Sequence, residues 1–315
     1  MVLNNVLNQQ INNEEVLEAK HIFAIDYLKL KVEITNNPLE LSQNMVIPLT
    51  KFDGEFQPLQ ESYSKQWVCG SYNDHIQIKA INKNEILIHG NLFKWLNGQN
   101  VTGTTDLIQL VLDTVNRLSQ IFNAITPTDT EIENIKLGLF RIYRIDVNKA
   151  LLFDDKQKAQ QYLSSIKEHG TYPRRDREVE KNGIYFGKGS KRTTLLYYFK
   201  GQEIRSHNKQ QTTLTTELRE YADRMIRCEV RLFNQQLRDQ ELNYGYCWNE
   251  ELVKHLVEDS HSKLNLPEPV SEIELPAKYI RFLATQKQGA LHIGYTASTR
   301  ARYKRDLARD YGLMV

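Results

Sequence analysis

The chain contains several short runs in which apolar and polar residues alternate, and tight turns separate many of them. Residues 23–34 are the longest run, and 76–81 and 85–89 lie on either side of Lys83-Asn84. Alternation with a period of two places every second side chain on one face of a strand. Strands joined by tight turns pair antiparallel, because parallel strands need a long crossover. The pattern therefore predicts an α+β fold with a mainly antiparallel sheet.

Other segments add strands and helices to this prediction. Strand patterns occur at 138–147, 183–187, 193–200 and 226–233, and helical spacing occurs at 92–96, 107–118, 155–169, 216–225, 277–286 and 298–311. Gly98 is expected to end the first helix, and Thr104 or Thr105 to cap the second. Beyond Gln235 the composition shifts toward helix, so we expect a domain at 1–235 that holds the sheet and a helical region at 236–315.

Composition excludes several classes of protein. Of 315 residues, 40% are hydrophobic and 25% are charged, which is typical of a globular protein. The apolar stretches are too short for a membrane span, and the start of the chain does not resemble a signal peptide, so we expect no membrane partner and a cytoplasmic location. The three cysteines show no ligand spacing, which argues against a disulfide framework and a zinc cluster.

Positive charge is concentrated in two segments. Residues 171–209 carry 10 Lys or Arg and 4 Asp or Glu, and a second excess lies in 298–309. Two basic segments on a nearly neutral chain predict contact with a polyanion such as DNA, although a solvated surface has the same pattern. In the second segment, a basic helix that follows another short helix suggests a helix-turn-helix-like contact. The candidate DNA-binding residues are Arg174, Arg175, Lys188, Lys191, Arg192, Arg300, Arg302, Lys304 and Arg305.

Two adjacent tyrosines, Tyr197 and Tyr198, lie in the strand pattern at 193–200. Alternation places them on opposite faces, with Tyr198 on the face of Lys200. A phenol beside a lysine, in a segment suited to binding phosphate, is typical of an enzyme that attaches itself to DNA through tyrosine. We therefore interpret Tyr198 and Lys200 as candidate catalytic residues. A tyrosine that simply packs on the sheet is the structural alternative.

Asp146 and Glu229 lie in the middle of strand patterns with apolar neighbours. An unpaired carboxylate in such a place is costly, so each acid must be paired or bound. Pairing with a nearby arginine, Arg144, Arg227 or Arg231, is one interpretation. The other is that both acids hold Mg²⁺ or Mn²⁺ at a scissile phosphate. His89 follows a strand pattern and is a candidate third ligand, or a histidine held by structural hydrogen bonds.

Several motifs together resemble the replication initiators of filamentous phages, the phage and plasmid gene II/X protein family. The motifs are Asp26-Tyr27-Leu28-Lys29-Leu30, the stretch from Lys94 to Leu107 with its Gly103-Thr104-Thr105-Asp106, Arg144-Ile145-Asp146, Tyr198-Phe199-Lys200, and Arg227-Cys228-Glu229-Val230-Arg231. The resemblance covers about residues 23–235, and the end of the chain is similar as well. Where the family commonly has Gly-His-Asn, this chain has Gly98-Gln99-Asn100.

The resemblance implies a fold related to HUH endonucleases, a divalent metal, and a tyrosine nucleophile that corresponds to Tyr198. The resulting hypothesis is that the chain is a rolling-circle replication initiator. Such a protein would nick and rejoin one strand of origin DNA through a 5′-phosphotyrosine intermediate. Expected partners are single-stranded and duplex origin DNA and a host helicase and polymerase, and assembly into an oligomer at the origin is compatible with this activity. The chain has no His-hydrophobic-His motif.

Other functions remain open at the level of sequence. A DNA-binding regulator without catalysis would also use the basic C-terminal helices. A tyrosine recombinase normally places its tyrosine and an Arg/His set on helices, and the strand pattern around Tyr198 disfavours it. A relaxase needs a histidine cluster that this chain does not offer.

Overall fold

The computed structural model describes residues 23–42, 45–46, 49–52, 55–58, 62–70, 74–207, 214–266, 275–287 and 294–311. The strands are β1 Phe23–Glu33, β2 Met45–Val46, β3 Leu49–Phe52, β4 Glu55–Pro58, β5 Ser62–Tyr63, β6 Gln66–Cys69, β7 His75–Asn82, β8 Glu85–Gly90, β9 Arg141–Leu152, β10 Arg177–Val179, β11 Gly183–Phe186, β12 Thr193–Phe199 and β13 Met225–Phe233. The helices are α1 Pro38–Leu41, α2 Leu92–Asn97, α3 Leu107–Ile121, α4 Asp129–Lys136, α5 Lys156–His169, α6 Lys200–His207, α7 Thr216–Asp223, α8 Asn234–Asp239, α9 Glu250–Ser262, α10 Ala277–Lys287 and α11 Ala297–Tyr311, with a 3₁₀ turn at Gly245–Cys247.

One sheet of nine strands organises the larger part of the chain. Its order is β10-β11-β12-β13-β9-β1-β8-β7-β6, and all of its neighbouring strands pair antiparallel. The predicted α+β class with a mainly antiparallel sheet is therefore confirmed. The hairpin around Lys83-Asn84 is β7 and β8, as the alternation predicted. The strands that carry Tyr198, Glu229 and Asp146 are the consecutive neighbours β12, β13 and β9.

Helices cover the sheet with apolar side chains. Val253 and Val257 of α9 are fully buried, and α9 contacts β9, β13 and β1. Leu28 and Ile145, which pair across β1 and β9, are also fully buried. Each such side chain contributes about 1.5–3 kcal/mol when it is removed from water. This apolar face anchors the central strands, so their opposite face can carry polar and charged groups.

The chain divides into two compact units. The larger contains residues up to Lys167 together with Tyr172–Leu264, and the smaller contains Glu168–Thr171 and the residues from Asn265 onward. The sequence had suggested a division at 235/236 instead. Helix α9 lies beyond that point yet packs on the sheet, and its buried valines make it part of the larger unit.

The smaller unit is built around two helices. Tyr279 and Phe282 of α10 and Leu307 of α11 form its buried core. The helix predicted at 298–311 is thus present and begins one residue earlier. None of the helices in the described part of the chain is long and apolar enough to cross a membrane.

Of the two predictions about helix ends, the one for Gly98 is confirmed and the one for the start of α3 is not. Gly98 ends α2 in the left-handed conformation, with φ of 72°, and its N–H bonds to the Lys94 carbonyl. Helix α3 begins with Asp106 as its N-cap, so the prediction of Thr104 or Thr105 was wrong. The Asp106 carboxylate accepts a hydrogen bond from the Gln109 N–H at 2.9 Å, and a charged acceptor is favoured at a helix N-terminus.

Candidate active site

A β-bulge in β1 shapes the centre of the sheet. Ile25 pairs with Val147 and Tyr27 pairs with Asp146, so Asp26 is an extra residue without a partner across the ladder. A bulge breaks the alternation of side chains and bends the strand. As a result, both Asp26 and Tyr27 line one cavity, although consecutive residues of a regular strand would point to opposite faces.

This cavity, which we call the Tyr198 cavity, has a volume of about 360 Å³ and lies over β1, β9, β13, β12 and β11. It is rich in acids: its lining includes the five carboxylates of Asp26, Asp146, Glu180, Glu203 and Glu229. Arg144 and Arg231 are also part of the lining. The structure thus brings Tyr198, Asp146 and Glu229 together in one cavity.

Tyr198 and Tyr197 point to opposite sides of β12. Tyr198 lines the cavity and is 8% exposed, whereas Tyr197 is fully buried and its hydroxyl lies 2.8 Å from His261 Nδ1 on α9. Burial raises the pKa of the Tyr198 phenol well above its usual value, and the nearby charge of Arg227 only partly opposes this shift. The phenol is therefore protonated at neutral pH, and any attack by its oxygen requires a proton acceptor.

Lys200 begins helix α6 and is fully buried behind the tyrosine. Its ammonium nitrogen lies 5.9 Å from the centre of the Tyr198 ring and 2.8 Å from both Asn100 Oδ1 and Glu203 Oε2. Burial and the positive charge of Arg227 lower the pKa of Lys200 to about 8, although Glu203 and Asp26 oppose them. Lys200 can therefore exchange a proton close to neutral pH.

Asp26 is held by a second network. Its carboxylate accepts hydrogen bonds from Asn91 at 2.5 Å and from Asn100 at 3.0 Å, and it lies 4.0 Å from the Arg227 guanidinium. Burial alone would raise the pKa of Asp26, but Arg227, Lys200 and the two amides together lower it. Arg227 also donates to the carbonyl of Asn100 at 2.7 Å. Asp26 is consequently an anion in the cavity wall.

Asp146 and Glu229 are both paired with arginines. Arg144 donates two hydrogen bonds to Asp146, at 2.8 and 2.6 Å, and Arg231 donates to Glu229 at 2.8 Å. Burial nevertheless raises the pKa of both acids. For Glu229 the pKa reaches about 7, because the charges of Asp26 and Asp146 add to the effect of burial while Arg231 opposes it.

The cavity suits a hard divalent cation by its chemistry. The five carboxylates of the lining would repel a phosphate. A bound cation would offset the negative charge of the carboxylates and of the phosphate. In the described part of the chain, no three His, Cys, Asp or Glu side chains are placed to hold a metal by themselves. Magnesium commonly takes only one or two carboxylates and completes its shell with water and substrate phosphates. Asp146 and Glu229 both line the cavity, and metal binding by these two acids stays a prediction.

His89 lies in a neighbouring cleft and is not part of the lining of the Tyr198 cavity. The cleft has a volume of about 570 Å³, and we call it the Phe233 cleft. His89 Nδ1 lies 3.0 Å from the Tyr27 hydroxyl. Burial and the charges of Lys65 and Lys29 lower the pKa of His89, so the ring is neutral at neutral pH. The structure therefore does not bring His89 together with the two acids.

The basic residues of the first segment have different surroundings. Lys188 pairs with Glu178 at 2.5 Å and with Glu180, and Arg192 pairs with Asp239 at 2.6 Å. Arg175 donates to the Thr193 carbonyl, and Arg174 has a positive φ of 56°. Lys191 is exposed and lines the Phe233 cleft. Lys191 is thus the member of this set that lines the Phe233 cleft.

The basic residues of the second segment all lie on α11. Arg302, Lys304 and Arg305 are exposed and Arg300 is half-buried, whereas Leu307 of the same helix is buried. The helix therefore presents a basic surface while its apolar side packs on α10. DNA binding by these residues stays a prediction.

Sequence reasoning did not identify Asp26, Asn100 or Arg227 as parts of the site. Asp26 and Asn100 occur in the motifs that carried the family resemblance, so that signal could have singled them out. For Arg227 the sequence pattern indicates only a salt bridge to one of the two acids. In the structure it is 2% exposed and lies beside Asp26 instead.

Residues 24–251 match the family model that describes the N-terminal part of a phage replication-associated protein, the gene II product. The chain belongs to this family. The five motifs quoted for the resemblance, including those that contain Asp26, Asp146, Tyr198 and Glu229, lie within the matched range. The resemblance to the phage gene II/X replication proteins is therefore confirmed.

Two individual proteins are similar to the chain. The replication-associated protein of the same name from Enterobacteria phage I2-2 is 26% identical over 203 residues, which are 61% of this chain and 58% of that protein. The chain thus matches somewhat more than half the length of this relative. A solved rolling circle replication initiator protein from Geobacillus stearothermophilus is 13% identical with a TM-score of 0.33, and the alignment covers 83% of this chain and 95% of that chain.

Proposed function

We propose that the chain initiates rolling-circle replication by nicking and rejoining one strand of origin DNA, with Tyr198 as the nucleophile. The observation that carries this proposal is the shared cavity: a tyrosine on β12 and strand-borne acids on β9 and β13 line one space large enough for a phosphodiester. Membership of a family of phage replication-associated proteins supports the choice of DNA as substrate.

The proposed reaction is a transesterification at phosphorus. The Tyr198 oxygen forms a bond to the scissile phosphorus, and the bond from phosphorus to the 3′-oxygen breaks. The phenolic proton passes to the neutral amine of Lys200, and the 3′-oxygen takes up a proton as it leaves. The products are a 5′-phosphotyrosine and a free 3′-OH that a host polymerase can extend after a host helicase separates the strands. The reverse attack by a 3′-OH rejoins the strand.

A divalent cation completes this proposal. Mg²⁺ or Mn²⁺, held by Asp146 and Glu229, would polarise the scissile phosphate and offset the charge that develops on its oxygens. Arg144 and Arg231 orient these two carboxylates through the hydrogen bonds described above. Arg227 supplies positive charge beside the phenol, and Lys200 becomes positively charged when it accepts the phenolic proton.

The rate of nicking is expected to rise with pH. Glu229 must be ionised to hold a cation, and its pKa is about 7; Lys200 must be neutral to accept a proton, and its pKa is about 8. Both deprotonations favour the reaction, so the rate increases through this range and then levels off. Single-turnover rates of nicking at a series of pH values measure the profile.

Varying the metal concentration distinguishes the titration of Glu229 from that of Lys200 in the pH profile. A cation competes with the proton on Glu229, so more Mn²⁺ should move the lower inflection to lower pH. The inflection of Lys200 should stay near 8, because the lysine does not bind the metal. A rate that falls as pH rises through this range would contradict both roles.

Supercoiled DNA with the origin of the element that encodes the chain provides the direct test. Incubation with Mg²⁺ should convert it to an open circle with protein attached to the 5′ end, and peptide mapping should locate the link at Tyr198. Binding to this DNA without any nick would favour the alternative, a DNA-binding regulator without catalysis. The exposed basic residues of α11 would serve either function.

A further inference from the structure

The Phe233 cleft adjoins the Tyr198 cavity, and Tyr27 and Arg144 line both. The two linings differ in charge. Acids dominate the Tyr198 cavity, whereas the described residues that line the cleft include Lys29, Arg144 and Lys191 and no acid. A DNA strand that extends from the cavity into the cleft therefore passes from an acidic to a basic surface.

A second β-bulge shapes this cleft. Lys29 pairs with Arg144 and Leu30 pairs with Ile142, so Tyr143 is an extra residue in β9. Tyr143 and Arg144 both line the cleft, although consecutive residues of a regular strand would point to opposite faces. The bulge thus adds an aromatic ring to the polar side of the sheet. Bulges of this kind often re-aim side chains next to functional sites.

Aromatic rings and a guanidinium make up much of the cleft wall. The Arg144 guanidinium carbon lies 4.3 Å from the centre of the Tyr27 ring and 5.3 Å from that of Phe233. Tyr143 and Phe233 are both half-buried, so each ring keeps an accessible part. Unstacked bases bind to aromatic faces and to guanidinium planes in this kind of setting.

His89 adds a polar group with spare hydrogen-bonding capacity. Its Nδ1 contacts the Tyr27 hydroxyl, while its Nε2 is buried and has no hydrogen-bond partner among the described residues. A buried nitrogen without a partner costs free energy. The edge of a nucleobase offers both donors and acceptors, and so can satisfy Nε2 in either tautomer of the ring.

We propose that the Phe233 cleft binds an unstacked nucleotide of single-stranded DNA next to the phosphate that Tyr198 attacks. Lys29 and Lys191 contact phosphates, Tyr143 and Phe233 stack on the base, and His89 hydrogen-bonds to the base edge. His89 thereby serves nucleotide binding rather than metal binding. The position of this nucleotide next to the scissile phosphate rests on the proposed function. Binding of single-stranded DNA tests the cleft by itself, without any nicking.

Photocrosslinking tests the position of the base. The probe is a single-stranded oligothymidylate with 5-iodouracil in place of one thymine, mixed with the full chain without metal so that no nick is made. Irradiation should link the probe to the peptide that contains Tyr143 or the one that contains Phe233. Links found only on peptides that do not line the cleft would overturn the proposal.

Variants test the energetic contribution of the cleft. Phe233→Leu should weaken binding of a fluorescent oligothymidylate about tenfold, because a leucine cannot stack on a base. Phe153→Leu is the matched control: Phe153 is also half-buried, packs against Tyr162, and does not line the cleft. Equal affinities of the two variants would contradict the stacking role.

The salt dependence of binding tests the two lysines. Lys29→Ala and Lys191→Ala should each reduce the slope of log affinity against log salt concentration by about 0.7, the value for one phosphate contact to a single strand. Lys83→Ala, at the exposed β7–β8 turn, should leave the slope unchanged. An unchanged slope in the first two variants would overturn the phosphate contacts.

These outcomes are separate from those of the nicking assay. Weakened binding by Phe233→Leu, in a chain that forms no phosphotyrosine, would support the nucleotide site and refute the proposed chemistry. Phosphotyrosine formation, together with unaltered binding by the cleft variants, would support the proposed chemistry and refute the nucleotide site.

Discussion

Replacing Tyr198 by phenylalanine should abolish nicking of origin DNA, with a loss of at least about a thousandfold in single-turnover rate, because removal of a nucleophile ends covalent catalysis. The change removes one oxygen and leaves the ring that fills the space beside Lys200. Binding of origin DNA should therefore persist. The measurement compares open-circle product and 5′-linked protein with those of the wild type.

Tyr197→Phe is the control for this experiment. The two tyrosines are adjacent in β12, but the Tyr197 hydroxyl faces away from the cavity toward His261. Its removal should cost about 1 kcal/mol of stability, the typical net value of one hydrogen bond, and leave nicking intact. Nicking by Tyr198→Phe at the wild-type rate, or its loss only in Tyr197→Phe, would show that the nucleophile has been assigned to the wrong residue.

Replacing Arg227 by methionine should destabilise the larger unit by about 3–5 kcal/mol, because it removes the more effective of the two positive charges that stabilise the mostly buried anion of Asp26 and leaves only Lys200. Arg227 is 2% exposed and also donates to the carbonyls of Asn100 and Val101, at 2.7 and 3.0 Å. Urea denaturation followed by circular dichroism measures the free energy of unfolding.

An exposed ion pair provides the matched control. Arg205 lies 2.6 Å from Asp223, but its side chain is 50% exposed, so Arg205→Met should cost less than about 1 kcal/mol. Adding Asp26→Asn to Arg227→Met should restore at least about 1 kcal/mol, because the carboxylate that lost its main counter-charge is then gone. Equal costs of the two arginine variants, or no restoration by the second change, would contradict this account of Asp26.

Much of the fold followed from local patterns. Alternation located β1, β7, β8 and β13 within a few residues, because burial of one strand face imposes a period of two on the sequence. The same rule correctly separated Tyr197 from Tyr198. It also identified Asp146 and Glu229 as acids that need partners, since charged residues among buried neighbours are costly.

The site itself needed information that no local pattern contains. Asp26 and Tyr143 enter their clefts through bulges, and one extra residue in a strand reverses the face of a side chain without changing the composition around it. The position of His89 in the Phe233 cleft likewise depends on the pairing of β8 with β1. Alternation alone could not distinguish this cleft from the Tyr198 cavity on the same sheet.

The sequence by itself determined the class of fold, the strands that carry the tyrosine and the acids, and the family to which the motifs belong, because periodicity and short motifs are local properties of the chain. Only the tertiary structure decided which side chains share a cavity. Asp26, Asn100 and Arg227 are far apart in the chain; the order of the sheet strands brings Asp26 and Arg227 together, and the loop after α2 adds Asn100. Burial shifts the pKa of both Lys200 and Glu229 toward neutrality. The charge of Arg227 adds to the shift of Lys200, and the charge of Asp26 adds to the shift of Glu229.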